Sequence, residues 1–433
     1  MLGHIRPFVF PLATSNLIHT ARKPVSHVIR YKGRKEPHYI PGTPNSVIKL
    51  GFADSGVGGL VFMLHVLDHF KEKFDEYASK YHVNFALVHL GDAHNAPYGT
   101  KSRDEINRLT RNLLSHLVRE EDCKINVIAC NTASTTWDAS SENWAKHSLG
   151  QSHVFPILND SARELYDQAL RPFVDRMMSP PKELHVGVLA TQATTKSQQF
   201  PKLLSEIHSD RFPKGAYTVV LNSESHNKPQ VFSGKIPVAS GSGTERDILS
   251  SIQRNTHDVP VLYVHTHAPK NWVSVMEGKV PGDIDHEVRS EIQLFHKQSD
   301  GHFSKIKTVG LFCTHYPFLE RQIDTALTSL GASKTHFVTQ GPLITDRLIR
   351  PSIESLLGGS QYPKRIQPIS LEDVRFSVKS ITTGNPDLDV DIASYRTAMK
   401  VAKVIAPQLS DRVNFSLMNP IHSYRFFKST EGK

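Results

Sequence analysis

Val47-Ile-Lys-Leu-Gly-Phe-Ala-Asp-Ser-Gly-Val-Gly-Gly-Leu60 is the stretch that decides the fold. Val47 to Ala53 is an apolar run of strand length, Asp54 to Gly59 a tight loop. Leu60, Met63, Leu64 and Leu67 then recur at helical spacing and predict a helix from Leu60 to Phe70. The same strand, loop and helix order repeats along the chain. Phe85 to Leu90 reads as a strand, Ile106 to Val118 as an amphipathic helix, and Val127 to Ala129 as a strand that ends at Cys130. After Pro156 a second series begins. Val186 to Ala190 runs into Thr191-Gln-Ala-Thr194, Val261 to Val264 is another strand, and Thr308 to Phe312 ends at Cys313. Strands alternating with helices predict parallel sheets, whose ligands bind beyond the carboxyl ends of the strands. Cys130 and Cys313 both fall at such ends, one in each half of the chain. Between Ser197 and Val261 lies a Ser-, Gly- and Pro-rich stretch, part of which reads as an inserted loop.

Composition narrows the function classes. At 433 residues, two domains are expected, and 39% hydrophobic residues suffice for packed cores. No apolar run approaches the roughly 18 residues of a membrane span, so no membrane partner is expected. The net charge of +9 is concentrated in residues 1–45, which hold seven basic residues and one acid; the rest has 44 basic against 41 acidic residues. A body so close to neutral lacks the basic clustering of a nucleic-acid groove. The basic, Ser- and Thr-containing leader instead suits an organelle transit peptide, mitochondrial or other, with a plain extension of a cytoplasmic protein as the alternative. Cys123, Cys130 and Cys313 are too few and odd in number for a disulfide scaffold, and fit a reducing compartment.

Each motif has a bland reading beside its chemical one. The Asp54–Gly59 loop invites a nucleotide, but Val61 stands where G-x-G-x-x-G needs its last glycine and no P-loop Lys follows. A tight turn accounts for the glycines, though not for Asp54 and Ser55 at a ligand-binding strand end. Cys130 as a lone thiol would be filler, yet Asn131, Thr132 and Ser134 follow it at a helix start, where N–H groups hold a carboxylate or a thiolate. Cys313-Thr-His315 adds a second thiol with an imidazole two residues on, which poises a thiol for acid–base work. Absence of C-x-x-C spacing argues against a metal site, and Cys123 reads as structural.

Together, Asp54-Ser-Gly-Val-Gly-Gly59, Gly91-Asp92 with Ala96-Pro-Tyr-Gly99, Cys130-Asn-Thr-Ala-Ser134, Val186-Gly-Val-Leu-Ala-Thr191 and Cys313-Thr-His-Tyr-Pro317 resemble the glutamate racemases of the aspartate/glutamate racemase superfamily. Ile381-Thr-Thr-Gly-Asn-Pro386 resembles that family's last strand and loop, so the resemblance runs from about Val47 to Ala406. It implies two pseudo-symmetric α/β lobes with parallel sheets flanked by helices and the active site between them. Residues 46–155 and 338–406 would form one lobe and 156–337 the other, the latter with an insertion near 200–260. Residues 1–45 would be a leader and 407–433 a tail.

The resemblance also implies roles. Cys130 and Cys313 would be the acid/base thiols, with Asp54 partnering Cys130 while His315 and Glu277 assist Cys313. Ser55, Pro97, Tyr98, Gly99, Asn131, Thr132, Thr191, Thr194 and Thr314 would hold a small amino acid. Glu277 matches only if one residue is inserted in Trp272-Val-Ser-Val-Met-Glu277. Phe312 replaces the usual glycine before the second thiol and would add bulk beside it, and Thr339 stands where the family has an Asp. The implied activity is cofactor-independent interconversion of L- and D-glutamate, with no metal and with a homodimer left open. A non-catalytic amino-acid-binding homologue, a superfamily racemase acting on aspartate or another substrate, and a thiol-dependent isomerase or decarboxylase are the alternatives. Both cysteines are present, which disfavours the binding homologue and the decarboxylase.

Overall fold

The computed structural model describes residues 46–56, 58–176, 181–211, 218–223, 230–233, 260–276, 280–299, 301–332, 334–359, 362–365, 376–382 and 413–417. The leader (1–45) and most of the tail lie outside them. Twelve strands form two six-stranded sheets. In chain order they are β1 (Ser46–Asp54), β2 (Val83–Gly91), β3 (Ile125–Ile128), β4 (His153–Pro156), β5 (Glu183–Ala190), β6 (Thr218–Ser223), β7 (Gln230–Ser233), β8 (Val261–His267), β9 (Thr308–Phe312), β10 (His336–Val338), β11 (Phe376–Thr382) and β12 (Val413–Leu417).

The first sheet has the order β12-β11-β2-β1-β3-β4 and the second β10-β9-β5-β8-β6-β7. All pairings are parallel except the antiparallel β6–β7 pair. The two share a core arrangement. β2-β1-β3-β4 in one sheet and β8-β5-β9-β10 in the other both run second, first, third, fourth, with two extra strands added beyond the second. β1 is therefore to β3 what β5 is to β9.

The stretch near 200–260, read partly as an inserted loop, contributes a helix, Gln199–Arg211, and the β6–β7 pair on the sheet edge, while its Ser- and Gly-rich part, 234–259, lies outside the described residues. Residues 413–417, expected in the tail, pair with β11 and extend the first sheet, because β11 would otherwise present an open edge.

Burial follows from the parallel topology, in which helices cover both faces. Ile48, Leu50 and Phe52 of β1 point to one side and pack with Leu60, Met63, Leu67, Phe70 and Phe74. The helix carrying these runs Gly58–Lys80, beyond its expected end at Phe70, because Phe74, Tyr77 and Ala78 keep the apolar period past the charged Lys71-Glu-Lys73. On the other face, Ala53, Val88 and Leu90 meet Leu109, Leu113 and Leu117 of the helix Arg103–Arg119. Ser102 caps that helix by accepting from the Glu105 N–H at 3.3 Å. The second sheet is likewise packed on both faces.

Candidate active site

Asp54 ends β1, Cys130 follows β3, and the two strands are neighbours in parallel register. Buried Asp54 accepts through Oδ2 from the N–H groups of Gly56 (3.0 Å) and Gly59 (2.9 Å). A Cβ at Gly59 would stand 2.4 Å from that of Asp54, so the turn closes over the carboxyl only with glycine there. Burial pushes the Asp54 carboxyl up to about 6, against the opposing pull of the two N–H groups and of His315. Cys130 caps the short helix Asn131–Ser134: its Sγ accepts from the Ala133 N–H (3.4 Å) and donates to Ser55 Oγ (3.4 Å). Burial, and then the nearby Asp54 charge, pushes the Cys130 thiol up to about 12. It is a thiol at neutral pH.

In the second sheet Cys313 follows β9, buried, with its Sγ 3.8 Å from His315 Nδ1. Glycine brings the two halves together here. A Cβ on Gly58 would lie 2.1 Å from Thr314 Oγ1 and 2.8 Å from His315 Cε1, so this loop touches the start of the Gly58–Lys80 helix. One carboxylate, Asp54, thereby feels His315 on one side and acts on Cys130 on the other. Behind Cys313, the Tyr316 hydroxyl is buried and has no hydrogen-bond partner among the described residues. Its ring meets Trp272 at 4.9 Å and 71°. Burial, with the charges of Cys313 and Glu291, raises its pKa well above the usual phenol range and keeps it protonated.

A second seam joins the halves through hydroxyls. Thr132, after β3, lies 3.4 Å from both Thr191 and Thr194, which follow β5 and are 3.0 Å apart. Thr191 caps the helix Gln192–Lys196 as Cys130 caps its own, so two helix starts meet here.

Among curated proteins, a glutamate racemase of Aquifex aeolicus (strain VF5) is 26% identical over 284 residues, 66% of this chain and 77% of that protein. One of Aquifex pyrophilus is 25% identical over 276 residues, 64% and 74% of the two chains. Over these spans the chain is similar to glutamate racemases. No family model matches it. A solved glutamate racemase of Francisella tularensis subsp. tularensis SCHU S4, in complex with D-glutamate, gives a TM-score of 0.49 at 16% identity over 86% of this chain and 97% of that one.

The residues singled out by the glutamate racemase resemblance divide into four groups. Asp54, Ser55, Cys130, Thr132, Thr191, Thr194, Cys313, Thr314 and His315 come together as described. In Pro97-Tyr98-Gly99, Pro97 and Gly99 are exposed while Tyr98 turns inward and donates to Asp92 Oδ2 at 2.8 Å. Gly99 stands against Ala193, to whose Cβ a Cβ at 99 would come within 3.0 Å. Asn131 stands apart. Its amide is held both ways by Gln340 (2.8 and 2.9 Å), so what it offers a ligand is its backbone N–H. Glu277 lies outside the described residues.

Phe312 is a correction. Strand alternation sends its ring away from Cys313, onto Phe200 at 4.3 Å and 9°, so it adds bulk to the core and none to the thiol. Cys123 is buried with Leu113 and Leu117, as its structural reading expected. Sequence reading missed Gln340, which reaches from Asn131 to Ser161 (2.8 Å), and His89, held by Ser380 (3.0 Å) and the Gly56 carbonyl (3.1 Å). Burial lowers His89 to about 3, so it stays neutral and props the Asp54 loop. Neither sits in a motif, and their partners are far away in sequence.

Proposed function

We propose that this chain is an amino-acid racemase that interconverts L- and D-glutamate, with Cys130 and Cys313 exchanging the α-proton. The observation that carries this reading is positional: the two thiols end equivalent strands, β3 and β9, of two sheets with the same order, and both loops meet Asp54. Inversion needs a base on one face of the α-carbon and an acid on the other. One Sγ thiolate takes the α-proton, the C–H electron pair passes toward the substrate carboxylate, and the opposite S–H returns a proton to carbon. The thiols leave the cycle with their protonation swapped.

Cys130, kept protonated by burial and by Asp54, starts as the acid. In the reverse direction its proton passes first to Asp54, whose raised pKa suits it to accept. His315 stands beside Cys313 to take or hand over its proton. Backbone N–H groups at the starts of the Asn131–Ser134 and Gln192–Lys196 helices, with the Thr132, Thr191 and Thr194 hydroxyls, are the donors for the substrate carboxylates and for charge that develops on them.

The test is incubation of the purified chain with each enantiomer of glutamate and of aspartate in D₂O, without added cofactor, followed by NMR at the α-position and chiral chromatography. Exchange and inversion of glutamate are expected. A folded sample that exchanges none of the four overturns the catalytic reading and leaves a binding homologue. Inversion of aspartate alone overturns the substrate.

A further inference from the structure

At the opposite end of the second sheet, Glu183 and His185 at the start of β5 meet His302, in the turn before β9. One donor atom from each lies within 4.8 Å of the others, so a point exists within about 2.8 Å of all three. Zinc binds nitrogen and oxygen at about 2.0–2.2 Å, a closing movement within side-chain reach. The geometry points to a divalent transition-metal site here, zinc being the ion that best suits two imidazoles and one carboxylate, with water completing the shell.

Three features support it. His185 Nε2 already faces Glu183 Oε2 at 3.2 Å, while its Nδ1 lies 3.1 Å from Nε2 of buried His265. That second contact is the outer partner that orients a ligating imidazole: with the proton on Nδ1, Nε2 presents its lone pair to an ion. The His302 Nδ1 is buried and has no hydrogen-bond partner among the described residues, a partner that an ion would supply. Finally, the Lys305 ammonium now on Glu183 (2.5 Å) belongs to a half-exposed side chain that can swing into solvent.

The site is remote from the thiols. β5 runs eight residues from Glu183 to Ala190, about 26 Å at strand rise, before it reaches Thr191. A bound ion would instead tie the start of β5 to the turn before β9, across the long stretch that holds β6 and β7. Its consequence is stability of the second sheet, since a ligand that binds only the folded chain raises its melting temperature.

The test uses the full chain, stripped with chelator and titrated with zinc chloride, read by metal content after dialysis and by melting temperature. Cobalt(II) serves as a spectroscopic probe. One zinc per chain and a raised melting temperature are expected. Glu183→Gln and His302→Ala, at half-buried positions, are each expected to weaken zinc at least tenfold and to abolish the thermal shift while keeping the parent circular-dichroism spectrum. A Cys130→Ser/Cys313→Ser double variant keeps the zinc. No retained zinc, unchanged affinity in both single variants, or loss of zinc in the double-cysteine variant overturns the assignment. If either single variant misfolds, d–d absorption of cobalt-loaded parent protein decides. A spectrum with thiolate charge-transfer bands places the ion on cysteine and overturns the site, whereas their absence supports it.

Discussion

Asp54→Asn separates what the Asp54 carboxyl does for chemistry from what it costs the fold. The folded state holds this group at about 6 against an ordinary 3.8, so its ionised form is the disfavoured one. A raised carboxyl pKa stabilises the fold relatively at low pH. That advantage is complete below about 3.8, is lost as pH climbs, and is gone once pH passes about 6. A shift of this size corresponds to about 3 kcal/mol at pH 7 and above. Asparagine removes the charge while its Oδ1 still accepts from Gly56 and Gly59, so the loop survives. The variant is therefore expected to be more stable than the parent at pH 7.5 by up to about 3 kcal/mol. Its advantage is expected to widen by roughly 1.3 kcal/mol between pH 5 and 7 and then level off. Urea midpoints of both proteins across pH 5–8 measure it, and taking their difference cancels the other titrating groups. Catalysis moves the opposite way: steps that use Cys130 as base slow, because asparagine cannot accept its proton. A variant less stable than the parent at pH 7.5, or a difference flat from pH 5 to 7, would refute the argument that buried charge at Asp54 is carried at the expense of stability.

The cysteines are expected to separate by face. Cys130→Ser and Cys313→Ser each abolish racemisation, since a serine hydroxyl is too weak an acid or base at neutral pH, yet each retains elimination from one enantiomer of a β-substituted analogue, with Cys123→Ser as control. By the family resemblance Cys130 serves the D enantiomer and Cys313 the L, and near-parental racemisation by either single variant defeats the two-thiol scheme. Phe312→Ala is expected to cost about 3–5 kcal/mol in urea denaturation, as loss of a fully buried ring does, while leaving the KM and enantiomer preference of the surviving fold unchanged. A large change in KM would return Phe312 to the thiol's surroundings. Removing residues 1–45 is expected to leave the denaturation midpoint in place and abolish organelle import in cells; a falling midpoint would show that the leader packs on the body.

By itself, the sequence determined the local order: strand, loop and helix from Val47 onward, the two thiols at strand ends, and the donor-rich starts of the helices after Cys130 and Thr191. These are legible because hydrophobic period and capping chemistry act over a few neighbouring residues. Tertiary structure alone decided which of these ends meet. Gly58 reads as one more turn glycine, but the residue it makes room for, Thr314, is some 250 positions away. The Asn131 amide is held at both ends by Gln340, 209 positions away. Phe312 looked like an obstruction because adjacency in sequence suggests adjacency in space, whereas a strand sends successive side chains to opposite faces. Likewise, nothing in the spacing of Glu183, His185 and His302 joins them; the register of β5 and the turn before β9 do. Local patterns specify backbone, but side chains distant in sequence meet only once two sheets have packed, and that packing is a property of the whole chain.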